Sequence, residues 1–227
     1  MGTIRKLRKG EKDVFNAFMT RNAKRCGKYE IPYCPTTLEK LPEHTIRYDN
    51  TKNAARPNAL VHFYVDDCKF DGLYGIWNKP LKALDRLKNF GGVITPDFSL
   101  YSNMTKAQQI WQIFRMRAFG FWLTENGIPI VNNVRWNDPS TFDFAFDGLP
   151  ENSILAVSTH GNLKQKQFHP YNEEGLAEMV RRLFPHTIIV FGSAPEELFG
   201  QYRNKGINIK VYEPEVCLVH DIRKRKK

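Results

Sequence analysis

The sequence predicts an α/β fold: parallel strands forming an incomplete or irregular (β/α) barrel or an open sheet, preceded by an extended N-terminal arm. Three observations predict it. From residue 60 onward, short β-branched and aromatic runs alternate with amphipathic stretches of ten or more residues, the rhythm of parallel βαβ units with right-handed crossovers. Most of the apolar runs give way to polar clusters, as strands do where they deliver side chains to a rim. No internal repeat of fixed period points to a solenoid or propeller instead.

Element by element, residues 1–25 read as a basic arm and a short helix with Val14, Phe15, Phe18 and Met19 on one face. Pro32, Pro35 and Pro42 then keep the chain extended or turning, and residues 44–59 read as polar and irregular, with Pro57 opposing a helix. "LVHFYVDD" (60–67) is the first strand. A helix over 80–90 follows, with Leu81, Leu84 and Leu87 or Ala83 inward, then a strand over 91–99 closed by Pro96. Residues 105–127 form a long helix. Its apolar positions Ala107, Ile110, Trp111, Phe114, Ala118, Phe121 and Trp122 fall on one 3.6-residue stripe, Thr105 with Gln108 makes a capping box, and Gly127 stops it. Strands are expected over 128–136, 153–161, 186–195 and 207–214, with helices over 173–184 and 196–206. The expected organisation is an arm and irregular lead-in (1–59), an α/β core (60–214) and a basic tail (215–227).

The chain has 227 residues and a formal net charge of +10, with 41% hydrophobic and 26% charged residues, a composition suited to one globular domain. No apolar run approaches the roughly 20 residues that span a bilayer, and the basic start has no apolar core of a secretory signal. A cytoplasmic location with no membrane partner is expected. The four cysteines form no C-x-x-C pair, which argues for reduced thiols rather than a zinc knuckle. Positive charge gathers at both ends, in Arg5, Lys6, Arg8 and Lys9 and in Arg223, Lys224, Arg225, Lys226 and Lys227. Such arms attract a polyanion through counterion release, so DNA or RNA is the expected partner.

In a parallel α/β sheet, ligands bind at the carboxyl ends of the strands. The first strand delivers Asp66 and Asp67, with Asp71 beyond; the second delivers Asp97, Ser99 and Tyr101; the third Asn132, Asn133, Arg135 and Trp136. The fourth delivers Ser158, Thr159, His160 and Asn162, and the fifth Gly192 and Ser193 before a helix. Asp66, Asp67 and Asp97 can bind a divalent cation such as Mg²⁺, or work as general acid and base together with His160; they can equally cap loops or pair with the many Lys and Arg. Asn132, Asn133, Arg135, Trp136, Ser158, Thr159, Asn162 and Ser193 are the substrate-binding candidates. Ser158 is no hydrolase nucleophile by pattern, since no G-x-S-x-G surrounds it. Gly192 and Ser193 offer amides to an anion without Walker spacing. Arg115 and Arg117, on the long helix, are expected to pair with carboxylates of adjacent elements or to reach a phosphate, and Trp77, Tyr101 and Trp136 to pack on the rim or stack on a base or sugar.

The pieces "FYVDDCKFDGLYGIWNKP", "VITPDFSLYSNMTKAQQIWQIFRMRAFGFW", "IPIVNNVRW" and "ILAVSTHGNL", in that order between residues 63 and 163, resemble a family of uncharacterised proteins from bacteria, phages and mobile genetic elements, known only as a domain of unknown function, and the resemblance extends over roughly residues 30–212. The resemblance implies a phage or mobile-element setting within a bacterial host, in which nucleic acid is a natural partner. It carries no reaction. The expected function is an enzyme acting on a nucleic acid or nucleotide, metal-assisted through the aspartates, with the basic ends holding the polyanion. Two alternatives stand beside it: a non-catalytic DNA- or RNA-binding accessory protein, and a sugar-processing enzyme with paired carboxylates beside loop aromatics.

Overall fold

The computed structural model describes residues 13–52, 55–159 and 169–213. Both basic ends, His160 and Asn162 lie outside them. A small antiparallel pair, β1 (Arg25–Cys26) and β2 (Ile31–Pro32), precedes a seven-stranded parallel sheet. The sheet contains β3 (His44–Arg47), β4 (Arg56–His62), β5 (Phe90–Ile94), β6 (Ile130–Asn133), β7 (Ile154–Ser158), β8 (Thr187–Phe191) and β9 (Asn208–Tyr212), side by side in chain order. Helices α1 (Pro80–Leu87), α2 (Lys106–Glu125), α3 (Phe142–Ala145), α4 (His169–Leu183) and α5 (Glu196–Asn204) occupy the crossovers after β4. The sheet is open and curled, a half-barrel.

Strand order and helix placement have one cause. When each parallel strand is laid next to the previous one by a right-handed crossover, every connection falls on the same face. Ala59, Val61, Val93 and Ile130 accordingly pack with Ala83 and Leu87 of α1 and Ile113, Met116 and Phe119 of α2. Leu155, Val157, Ile188 and Val190 pack with Leu176 and Met179 of α4 and Leu198 and Phe199 of α5. The alternate strand residues Leu60, Ile94, Val131, Ala156 and Ile189 form a third cluster on the other face, closed by Leu38 and Leu41 of the lead-in. A sheet wound in one direction has no switch point in its strand order, so its ligand site belongs at the strand ends, as in a barrel.

The lead-in is tied to the sheet and contributes its edge strand. Backbone amides of Thr37 and Leu38 both donate to the Ile130 carbonyl, at 3.0 Å, and Thr36 Oγ1 donates to the Ile154 carbonyl at 3.1 Å. Residues 36–38 thus bridge the first residues of β6 and β7. Residues 44–47, expected to be irregular, form edge strand β3, and β4 begins at Arg56, before the expected start at 60. Seven strands replace the six expected, because in β3 only Ile46 is buried and the run carries no apolar signal.

Two helical faces also differ from expectation. The capping box of α2 forms as predicted, Thr105 accepting from the Gln108 amide and Gln108 accepting from the Thr105 amide. Its fully buried residues, however, include Ile113, Met116 and Phe119, while Trp111 is 44% exposed. The N-terminal segment packs on α2 as well, with Phe18 edge-on to Trp122 at 5.8 Å between ring centres, so the helix is covered on more than the side facing the sheet. In α1, Leu81 is exposed while Ala83 and Leu87 are buried. The expected N-terminal helix is a single 3-10 turn, Ala17–Thr20, that buries Met19 and leaves Val14 and Phe15 exposed.

Candidate functional site

The ends of β4, β5 and β6 converge on a hydrogen-bonded chain. Beyond β5, Asp97 Oδ1 accepts from Asn133 Nδ2 at 2.8 Å, and Asp97 Oδ2 pairs with Arg135 Nη1 at 3.3 Å. Tyr64, past the end of β4, donates its hydroxyl to Asn133 Oδ1 at 3.0 Å. Asn133 is further fixed by its amide, which donates to Thr95 Oγ1 at 2.8 Å. Asp67 opens a one-turn 3-10 helix, Asp67–Lys69, and accepts from the Ser99 hydroxyl at 2.9 Å and the Ser99 amide at 3.2 Å.

Burial is the main cause that raises the Asp67 carboxyl above its ordinary range; the Asp97 charge adds to it, against the opposing effects of the Ser99 hydrogen bonds and of Arg135. Burial, with Asp97 adding to it, also pushes the Tyr64 phenol well above its ordinary value, so it stays a donor to Asn133. The site therefore holds one carboxylate tied to a guanidinium and a second whose proton is retained more strongly, the kind of division that acid–base chemistry uses.

The raised Asp67 has a stability consequence. A carboxyl whose folded value exceeds its unfolded one contributes stability below the unfolded value and loses it as pH rises through the folded value. Asp67→Asn, which can keep both Ser99 contacts, is expected to raise the melting temperature at pH 7 in metal-free buffer, with the gain shrinking toward acid pH. Thermal scans across pH check it; a gain that grows on acidification contradicts it.

Other predicted residues fall elsewhere. Asp66 is exposed and forms no group with Asp67 and Asp97; among the described residues no three His, Cys, Asp or Glu side chains are placed to hold a metal. Asn132 points away from the rim, because strand neighbours face opposite sides; it donates to the Cys34 carbonyl at 2.8 Å and fixes the lead-in. Thr159 Oγ1 donates to the Ser193 carbonyl at 2.7 Å, joining the loops after β7 and β8. Ser158 lines a small cleft with Asp97, Asn133, Arg135, Trp136 and Asn172.

Both helix arginines are structural. Arg115 pairs with Asp71 at 2.9 Å and lies over the Phe98 ring at 3.9 Å. Arg117, wholly buried, donates to the carbonyls of Asn133, Ala145 and Asp147. Cys26, Cys34 and Cys68 are free thiols, and burial pushes Cys34 up to about 12.

Sequence reasoning missed His62, Tyr64 and Asn172. His62 ends β4 with 1% exposure, its ring 4.2 Å from that of Phe191 and 5.6 Å from that of Tyr64. In the sequence it reads as a strand interior, because the apolar run continues beyond it to Val65, whereas β4 ends at His62. Its place within "LVHFYV", a lone histidine in an apolar run, was the available signal.

Fold and rim together define a singly wound parallel α/β domain with a polar site at the ends of its strands. Residues 23–213 match the family described as Domain of unknown function (DUF4417), and the chain belongs to that family. It is 34% identical over 186 residues to the Gene 1 protein of Mycobacterium phage L5, covering 81% of this chain and 79% of that protein. It is 32% identical over 191 residues to the Gene 1 protein of Mycobacterium phage D29, covering 81% and 67%. No solved structure matches it. Among the described residues, no helix is long and apolar enough to cross a membrane.

Proposed function

We propose that the protein is an enzyme acting on a nucleic acid or nucleotide, with Asp67 exchanging protons and Asp97, held by Asn133 and Arg135, orienting the reacting group. The observation that carries this reading is the hydrogen-bonded convergence of three successive strand ends beside a carboxyl that burial has made less acidic. The net charge of +10 and the phage setting of the relatives favour a polyanionic substrate. Mg²⁺ commonly takes one or two carboxylates, with water and substrate phosphate completing its shell. Asp97 would hold such a cation through lone pairs that Asn133 and Arg135 leave free, with Asp67 joining it when ionised, and the cation would supply charge for a phosphoryl oxygen.

The test is turnover of a panel of single- and double-stranded DNA, RNA and nucleotides, with Mg²⁺ and with chelator. Asp97→Asn is expected to keep the fold and lose about 100-fold or more in rate, the range of a general acid–base or orienting group. Tight binding of the panel without turnover would instead identify the non-catalytic accessory protein.

A further inference from the structure

The small cleft between the ends of β6 and β7 and the first turn of α4 carries an excess of one kind of group. Arg135 spends Nη1 on Asp97, but its Nε is buried with no acceptor. Asn172 Nδ2, on α4 in the same cleft, is likewise buried with no acceptor. An unpaired buried donor gives up its bonds to water without replacement, and native proteins leave few of them. Two in one cleft, one of them on a guanidinium, mark a place made for an acceptor oxygen.

The cleft exists because α4 comes close. A Cβ at Gly175 would lie 2.1 Å from Trp136 Nε1, so only glycine lets the helix approach that indole. Asn172 is three residues earlier on the same helix face and is carried to the rim with it. It stands in the first turn of a 15-residue helix, where the backbone dipole favours negative charge. The cavity holds about 20 Å³, room for one oxygen or a water rather than for a nucleotide. One oxygen of a larger group fits that space.

We propose that this cleft is an oxyanion subsite that receives a phosphoryl oxygen of the substrate through Arg135 Nε and Asn172 Nδ2. The inference rests on the reading of the rim as a site for nucleic acid or nucleotide. Asp97 does not oppose it, since its two oxygens are already engaged by Asn133 and Arg135.

The experiment is calorimetric titration of the full chain with inorganic phosphate, thymidine 5′-monophosphate and acetate, with and without Mg²⁺. Phosphate and the nucleotide are expected to bind, with acetate at least tenfold weaker. Asn172→Leu and Arg135→Gln are each expected to weaken phosphate about tenfold or more, the worth of a hydrogen bond to a charged group. Asn172→Leu is also expected to leave the melting temperature unchanged or raised, because it removes a buried unpaired donor, so lost affinity in a stable protein separates binding from folding. Phosphate affinity unchanged in Asn172→Leu, acetate binding as well as phosphate, or no phosphate binding at all would each overturn the subsite. Turnover of the panel with phosphate affinity unchanged in Asn172→Leu sinks the subsite and leaves the enzyme standing. Phosphate held by these two residues with no turnover does the reverse.

Discussion

Arg117→Ala is expected to destabilise the protein by about 3–5 kcal/mol, the range for emptying a large buried position and stranding its partners. Arg117 is 0% exposed and is among the largest fully buried side chains. Its Nη1 and Nη2 each donate over 3.0 Å, to the carbonyls of Asn133 and Ala145, and its Nε donates to that of Asp147 at 3.3 Å. One guanidinium thereby ties the end of β6 to α3 and to the turn that follows it. Burial lowers its pKa to about 10, so the group keeps its charge at neutral pH. Truncation opens a cavity and leaves three carbonyls short of a donor. Lysine does not substitute, because an ammonium lacks the planar fork that serves three acceptors at once. Urea unfolding at neutral pH measures the effect; a loss below about 1 kcal/mol would mean that water replaces the guanidinium. Asn133, which holds Asp97, is one of the tied residues, so under the proposed enzymatic function Arg117→Lys is also expected to slow turnover where it leaves the protein folded.

Gly148→Val is expected to cost about 2–4 kcal/mol, from backbone strain and a clash together. Gly148 has φ +73°, and a Cβ there would lie 2.2 Å from the Pro32 carbonyl oxygen. Its own carbonyl accepts from the Cys34 amide at 2.8 Å, where the lead-in leaves the β1–β2 hairpin. A side chain therefore both occupies a disfavoured conformation and pushes the hairpin off the turn after α3. Gly148→Ala should show most of the loss, since the first carbon makes the clash. An alanine variant with wild-type stability would show that the hairpin moves away without cost.

Much of the architecture was legible. The alternation of β-branched runs with amphipathic stretches predicts six of the seven strands and the four longer helices, and the Thr105–Gln108 capping box forms as its spacing predicts. What failed was tied to long-range packing. The apolar stripe of α2 was real, but the N-terminal segment also covers that helix, so its apolar residues do not mark a single buried face. β3 was invisible because an edge strand with one buried residue needs no alternation.

The site divides along the same line. Asp67, Asp97, Asn133 and Arg135 could be named from the polar ends of apolar runs, because a buried strand must deliver its next residues to a rim. By itself the sequence determined the class of fold, the order of its strands' polar ends, and a formal net charge of +10. Only the tertiary structure decided that Asn133 faces Asp97 while Asn132 turns to the lead-in, since a register one residue off exchanges them. It alone brought Asn172 to Arg135's cleft, because that meeting depends on a missing side chain at Gly175 against Trp136. No local pattern encodes a contact between residues 39 positions apart whose closeness is set by how tightly a helix can lie on an indole.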